Sequence, residues 1–233
     1  MPILQDIEFS ITADQILQAQ GANPALIRKR KPNLVLTAER ALDIGLPLLE
    51  PLVLYRELEL EKVRHETLIL SEGYTLKSQL LTQHLAYAKI IVVILCSIGE
   101  KMEKEIASLY DSDPVLGLAL DGVGSAAVEA LANATCKFFE ARAQESKWQA
   151  SIPLSPGMTS WPVDEGQPEI FHILDPSSID VRLTSSYLML PRKSLTMVLG
   201  FGPQLMISGT TCSYCAMQET CKYQDHYQAS MLP

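Results

Sequence analysis

Apolar positions recur along this chain with two different periods, and each change of period marks an element. Leu116, Leu120, Gly124, Ala127, Leu131, Ala134 and Phe138 lie on one helical stripe, which predicts a long helix from about Pro114 to about Trp148. Its middle, "GVGSAAVEALANA", is rich in small residues and lets a neighbouring backbone come close. Gly124 is a poor helix former, so its presence there implies a packing reason. Leu76, Leu80, Leu81 and Leu85 give "TLKSQLLTQHLAYA" the same helical spacing. "EKMEKEIASLY" reads as a helix with acidic residues in its first turn, and "QPEIFHIL" as the opening of another.

Elsewhere the pattern is that of strands. "KIIVVILCSIG" is β-branched and apolar on both alternations, which predicts a strand covered on both faces. "HETLILS" has the length of a strand. Val181, Leu183, Tyr187 and Met189 share one face of "DVRLTSSYLML", and Leu195, Met197, Leu199 and Phe201 share one face of "KSLTMVLGF". The short connector "PRK" makes these two runs an expected antiparallel pair, Val181 to Leu190 against Leu195 to Phe201. The first fifty residues read as helical. Thr12 or Asp14 can cap a first helix that stops at Gly21, and a second starts near Thr37 and is limited by Pro47 and Pro51. The expected organisation is one α+β domain over residues 1–204, with residues 1–50 as its helical part, followed by a cysteine-rich tail over 205–233.

Composition narrows the function classes. The chain of 233 residues is 47% hydrophobic and 20% charged, an ordinary globular balance. Its net charge of -8 argues against nucleic-acid binding, which needs a basic face. The basic cluster "RKRKP", Arg28 to Pro32, reads as a solvated loop. No segment is expected to span a membrane, the longest apolar run being "IIVVILCSIG". The N-terminus lacks the regions of a signal peptide, which makes the cytoplasm the expected compartment. An odd count of five cysteines agrees, because it does not suggest a disulfide framework.

Little in the sequence points to acid–base catalysis. His65, His84, His172 and His226 are scattered and join no nucleophile motif, and His84 among leucines reads as a packed or capping histidine. The single glycine of "SIGEKMEK" is an ordinary strand-to-helix turn before it is an anion site. The C-terminal segment carries more. Cys212, Cys215 and Cys221 are spaced C-x2-C-x5-C, and with His226 they form a candidate ligand set for zinc, or without it for an iron–sulfur cluster with an open position. A redox dithiol and a surface tail with free or paired thiols are the competing readings. Cys96 and Cys136, in apolar contexts, read as small core residues.

Three stretches occur in a telling order: "DGVGSAAVEALAN" (Asp121 to Asn133), "SPGMTSWP" (Ser155 to Pro162) and "LTSSYLMLPRKSLTMVLG" (Leu183 to Gly200). Together with "LCSIGEKMEKEIASL" they resemble the activation domain of cobalamin-dependent methionine synthase and its free-standing bacterial relatives, over roughly Glu66 to Gly200. The resemblance implies an α+β fold with a twisted, mainly antiparallel sheet flanked by helices. It also implies a role in which S-adenosylmethionine, bound against a partner's corrinoid, restores methylcobalamin after one-electron reduction.

The family pattern for the proline-rich loop is approximately Arg-x-[Ser/Ala]-Pro-Gly-Tyr-x-x-[Cys/Trp]-Pro. Ser155, Pro156, Gly157, Trp161 and Pro162 match it, and the implied ligand-binding stretch is Ser155, Pro156, Gly157, Met158, Thr159 and Ser160. Three family positions differ. Pro153 stands where the family has arginine, Met158 where it has tyrosine, and Ser185 where it has an acidic residue. The loss of the arginine removes the cation that would meet the ligand's carboxylate. The resemblance implies a stand-alone reactivation protein for a methionine synthase or corrinoid methyltransferase, with cobalamin held only by the partner. The alternatives are a non-catalytic docking module for a corrinoid protein and a metal or redox accessory protein built on the cysteine tail.

Overall fold

The protein is described here by a computed structural model that covers residues 1–205, 210–215 and 217–221. In chain order the elements are β1 (Ile3–Leu4), α1 (Ala13–Ala19), α2 (Pro24–Arg30), α3 (Pro32–Gly45), β2 (Leu52–Arg64), β3 (Thr67–Leu70), β4 (Thr75–Lys77) and α4 (Gln79–Leu85). They continue with β5 (Ile90–Ser97), α5 (Lys101–Leu109), α6 (Pro114–Glu145), β6 (Gln149–Ala150), α7 (Val163–Ile173), β7 (Arg182–Leu183), β8 (Met189–Leu190) and β9 (Ser194–Gly202). The sheet runs β4-β3-β2-β5-β9-β6, with β1 also on β2, and every pairing is antiparallel. This is the α+β arrangement that the two periods in the sequence predict.

Strand β5 lies at the centre and divides the core in two. Val92, Ile94 and Cys96 face one hydrophobic cluster, which α1, α3 and α6 complete. Ile91, Val93 and Leu95 face the other, against Leu81 and Leu85 of α4 and Ile170 of α7. Alternate side chains leave a strand on opposite faces, so burial on both sides requires apolar residues at every position, as the sequence shows. Neighbouring β9 repeats the alternation, with Met197, Leu199 and Phe201 in the first cluster and Val198 in the second.

Several local expectations need correction. Val181 to Leu190 is not a strand paired with Leu195 to Phe201. Only β7 and β8 form there, pairing with each other, while β9 pairs with β5 and β6. Asp180 and Tyr187 take positive φ, and the Thr184–Leu188 turn folds the run back on itself, with Thr184 N donating to Leu188 O at 2.8 Å. "RKRKP" is not a loop but the end of α2 and the start of α3, and Thr37 sits inside α3 with its hydroxyl donating to Asn33 O. Ser78 splits the expected helix over residues 75–88 into β4 and α4, because its side chain caps α4 by accepting from Leu81 N. Thr12 does cap α1, in a reciprocal capping box with Gln15.

Among the described residues one helix, α6, is long and apolar enough to cross a membrane by length and composition, a length the sequence reading finds in no segment. Its apolar character serves the core here, since 67% of its most apolar window is buried inside the protein. The small residues of α6 have the packing role that the sequence predicts. Gly124 lies under the aliphatic stem of Lys193, whose Nζ reaches Asp121 at 2.7 Å and Ser125 at 2.9 Å. Gly122 meets α1, where an added Cβ would stand 3.0 Å from Ile16 Cγ2 and 3.2 Å from Ile16 O. Gly122→Ala is therefore expected to cost at least about 1 kcal/mol by overpacking. The urea midpoint checks it, and an unchanged midpoint would show that α1 moves aside freely.

Candidate functional site

The Ser155–Pro162 loop is a closed turn tied to both its neighbours. Gly157 takes φ +98 and donates its N–H to Trp161 O at 2.7 Å, while Met158 N donates to Ser155 O and Trp161 N to Met158 O. A side chain at Gly157 would be strained by that backbone and would press on Val163 Cγ2 at 3.3 Å. Thr159 N donates to Tyr214 O at 2.9 Å, and Ser78 Oγ donates to Ser160 O at 3.0 Å. The loop's anchor is Trp161, which is fully buried in the second hydrophobic cluster. Its indole packs on α7, where a Cβ added at Gly166 would stand 2.6 Å from Nε1. Trp161 Nε1 points toward the Glu169 carboxylate without reaching normal hydrogen-bond geometry. Burial raises the pKa of that carboxylate, against the opposing pull of the Lys77 N–H at 3.1 Å.

Beside this loop opens a cleft of about 390 Å³, within the range of small-molecule sites. Ser155, Pro156, Gly157 and Met158 line it, but Thr159 and Ser160, both exposed, do not. One face of α6 forms a second wall through Glu129, Ala132, Asn133 and Cys136. The start of β9 contributes Ser194 to Met197, and α7 contributes Gln167, whose Oε1 accepts from Thr196 Oγ1 at 3.1 Å. Cys212, Cys215 and Cys221 line the same cleft. Two stretches that the sequence left apart, the proline-rich loop and the cysteine tail, thus share one cavity.

The tail is held there by several contacts. Met158 and Cys215 form an antiparallel bridge, and the Tyr214 ring meets His84 edge-on with centroids 4.5 Å apart. None of the five cysteines is in a disulfide. Among the described residues no three His, Cys, Asp or Glu side chains are grouped to hold a metal ion, and His226 lies outside those residues. As placed, the three tail cysteines do not form the closed set that zinc or a cluster needs.

Burial lowers the pKa of His84 from its ordinary 6.5. The folded state thus favours the neutral ring, and the stability this gives is present above the unfolded value and lost as pH falls toward the lowered one. Acidification below 6.5 is expected to loosen the contact with Tyr214. Hydrogen exchange at the Thr159 amide reads this out. Exchange that follows only the intrinsic pH dependence would sink the prediction.

Sequence reading missed Glu129, Asn133, Gln167, Met189 and Thr196 as cleft residues. A signal existed for one wall, since Glu129, Ala132, Asn133 and Cys136 have the i, i+3, i+4, i+7 spacing of a single helix face. The charge of the cleft is also notable. Among its described lining residues Glu129 is the one charged side chain, and none is a lysine, arginine or histidine.

Helices on an antiparallel sheet, with a cleft between the long helix and a proline-rich loop, make this an α+β domain. The solved structure of the MetH reactivation domain bound to AdoHcy has the same fold, with a TM-score of 0.58 over 90% of this chain and 81% of that one. Sequence identity is 11%, so the likeness is one of fold. No protein-family model matches the chain, and no curated protein matches it in sequence.

Proposed function

We propose that this protein binds S-adenosylmethionine in the cleft beside Ser155 to Met158 and supports reductive methylation of a corrinoid held by a partner, a methionine synthase or a corrinoid methyltransferase. The observation that carries the reading is the position of the cleft, between the proline-rich loop and α6 in a fold like that of the AdoHcy-bound domain. S-adenosylmethionine, when bound, supplies its methyl group to the reduced cobalt of the partner's corrinoid and leaves as S-adenosylhomocysteine, the electron coming from a partner reductant. The chain's own residues bind and orient. The closed turn around Gly157 keeps the loop pre-ordered and lowers the entropic cost of binding. Glu129 gives the cleft a negative wall suited to the sulfonium and ammonium groups of the ligand. We place this work in the cytoplasm, with residues 1–204 as the working unit and the tail over 205–233 as an adjunct to it.

A second reading, a docking module that binds no nucleotide ligand, is favoured by one observation. The N–H groups of Gly157, Met158, Thr159 and Trp161 are already committed within the protein. Calorimetric titration with S-adenosylmethionine and S-adenosylhomocysteine separates the two readings. Saturable binding that is abolished by Ser155→Trp supports the first. Silence toward both ligands, with retained binding to a corrinoid protein, supports the second.

A further inference from the structure

The sequence contains five cysteines and eight methionines, and four of each line the one cleft described above. Eight of its twenty-one lining residues thus carry sulfur. Met158 belongs to the proline-rich loop, and the other seven form two levels. At the more buried level Cys136 donates to Met197, with Sγ and Sδ 3.4 Å apart and both residues nearly inaccessible. Nearer the surface Cys212, Cys215 and Cys221 are half-buried, Met189 is half-buried and Met217 is exposed.

Ordinary core packing explains the Cys136–Met197 pair but not the outer group. A half-exposed wall gains little from methionine as a filler. The chemistry that thiols and thioethers share is affinity for soft metal ions. Zinc asks for a tetrahedral set of nitrogen, sulfur or oxygen ligands, and no three cysteine, histidine or acidic side chains are so grouped among the described residues. A soft monovalent ion asks for fewer ligands and accepts thioethers, which zinc sites rarely use.

We propose that the outer wall of this cleft is a binding site for a soft monovalent metal ion, with copper(I) as the probe, held by tail thiolates and by the thioethers of Met189 and Met217. A coordinating cysteine loses its thiol proton to solvent and a thiolate–metal bond replaces the S–H bond, with no change of oxidation state. The proposal goes beyond S-adenosylmethionine binding and does not depend on it.

The test is anaerobic titration of the full chain with copper(I) against a coloured copper(I) chelator. The wild type should withhold copper from the chelator and release protons as it does so. Cys212→Ser, Cys215→Ser should weaken retention at least about tenfold, and Cys96→Ala, at a cysteine outside the cleft, should leave it unchanged. Met189→Leu, Met217→Leu keeps the volume and apolar character of both side chains and should also weaken retention. This second variant keeps the idea falsifiable if the cysteine variant does not fold. Equal retention in the methionine variant overturns the proposal, as does preference for zinc(II) over copper(I) in direct competition, or a chelator that strips the wild type completely.

Discussion

Trp161→Ala is expected to remove about 3–5 kcal/mol of stability, the range for deleting a large buried aromatic side chain. Trp161 has no accessible surface and is among the largest of the fully buried side chains. The indole sits between its own loop and α7, against the bare backbone of Gly166. Its Nε1 makes no regular hydrogen bond, so the loss is one of packing and not of a polar contact. The effect should extend to the site. Gly157 N bonds to Trp161 O, and Thr159 N bonds to Tyr214 O, so the loop that the indole anchors also positions the tail beside the cleft. Denaturant unfolding should show a lower urea midpoint with the slope nearly unchanged, because the surface exposed on unfolding scarcely alters. Trp161→Phe should recover part of the loss. A cost below about 1 kcal/mol for the alanine variant would mean that the loop collapses into the gap and that the indole does not anchor it.

The same residues show how far the sequence could be read. Trp161 and Gly157 stood out in "SPGMTSWP" because prolines, a glycine and a tryptophan have few other uses in a short loop. The centre of the sheet was legible too, since Ile90 to Cys96 is apolar at every position and only a strand buried on both faces needs that. Strand β2 was not. Its second half, from Glu59 on, is largely exposed, and "ELELEKVR" carries too many charges to stand out as core. The pairing of β9 was misread for a different reason. Val181 to Leu190 and Leu195 to Phe201 are adjacent in sequence, and local pattern favours the nearest partner. The partner that β9 takes, β5, lies about a hundred residues earlier, with Val92 opposite Leu199 and Ile94 opposite Met197. No short-range pattern encodes such a contact. The cleft shows the same limit. Each wall has a local signature, but the meeting of α6, the loop and the tail exists only in the fold.

Pro153→Arg is expected to tighten S-adenosylmethionine binding about tenfold to a hundredfold, the worth of one charge-assisted hydrogen bond. Pro153 lines the cleft and stands at the position of the arginine in the resembled loop pattern. The wild-type cleft presents only Glu129 as a charged group among its described lining residues. Its described lining thus holds an anion for the sulfonium and ammonium of the ligand but no cation for its carboxylate. A guanidinium at residue 153 would meet that carboxylate with two parallel N–H donors, and the Glu129 wall would limit the cost of bringing a positive charge into a largely apolar cavity. Three ligands measured by calorimetry make the test specific. S-adenosylmethionine and S-adenosylhomocysteine both carry the carboxylate and should gain alike. 5′-Methylthioadenosine lacks the amino-acid portion and should gain nothing. Equal gains for all three would mean that the arginine stacks on the adenine or simply adds contact area. No gain for any would place the ligand's carboxylate away from the wall that Pro153 forms, and would remove the proline-rich loop from the binding site.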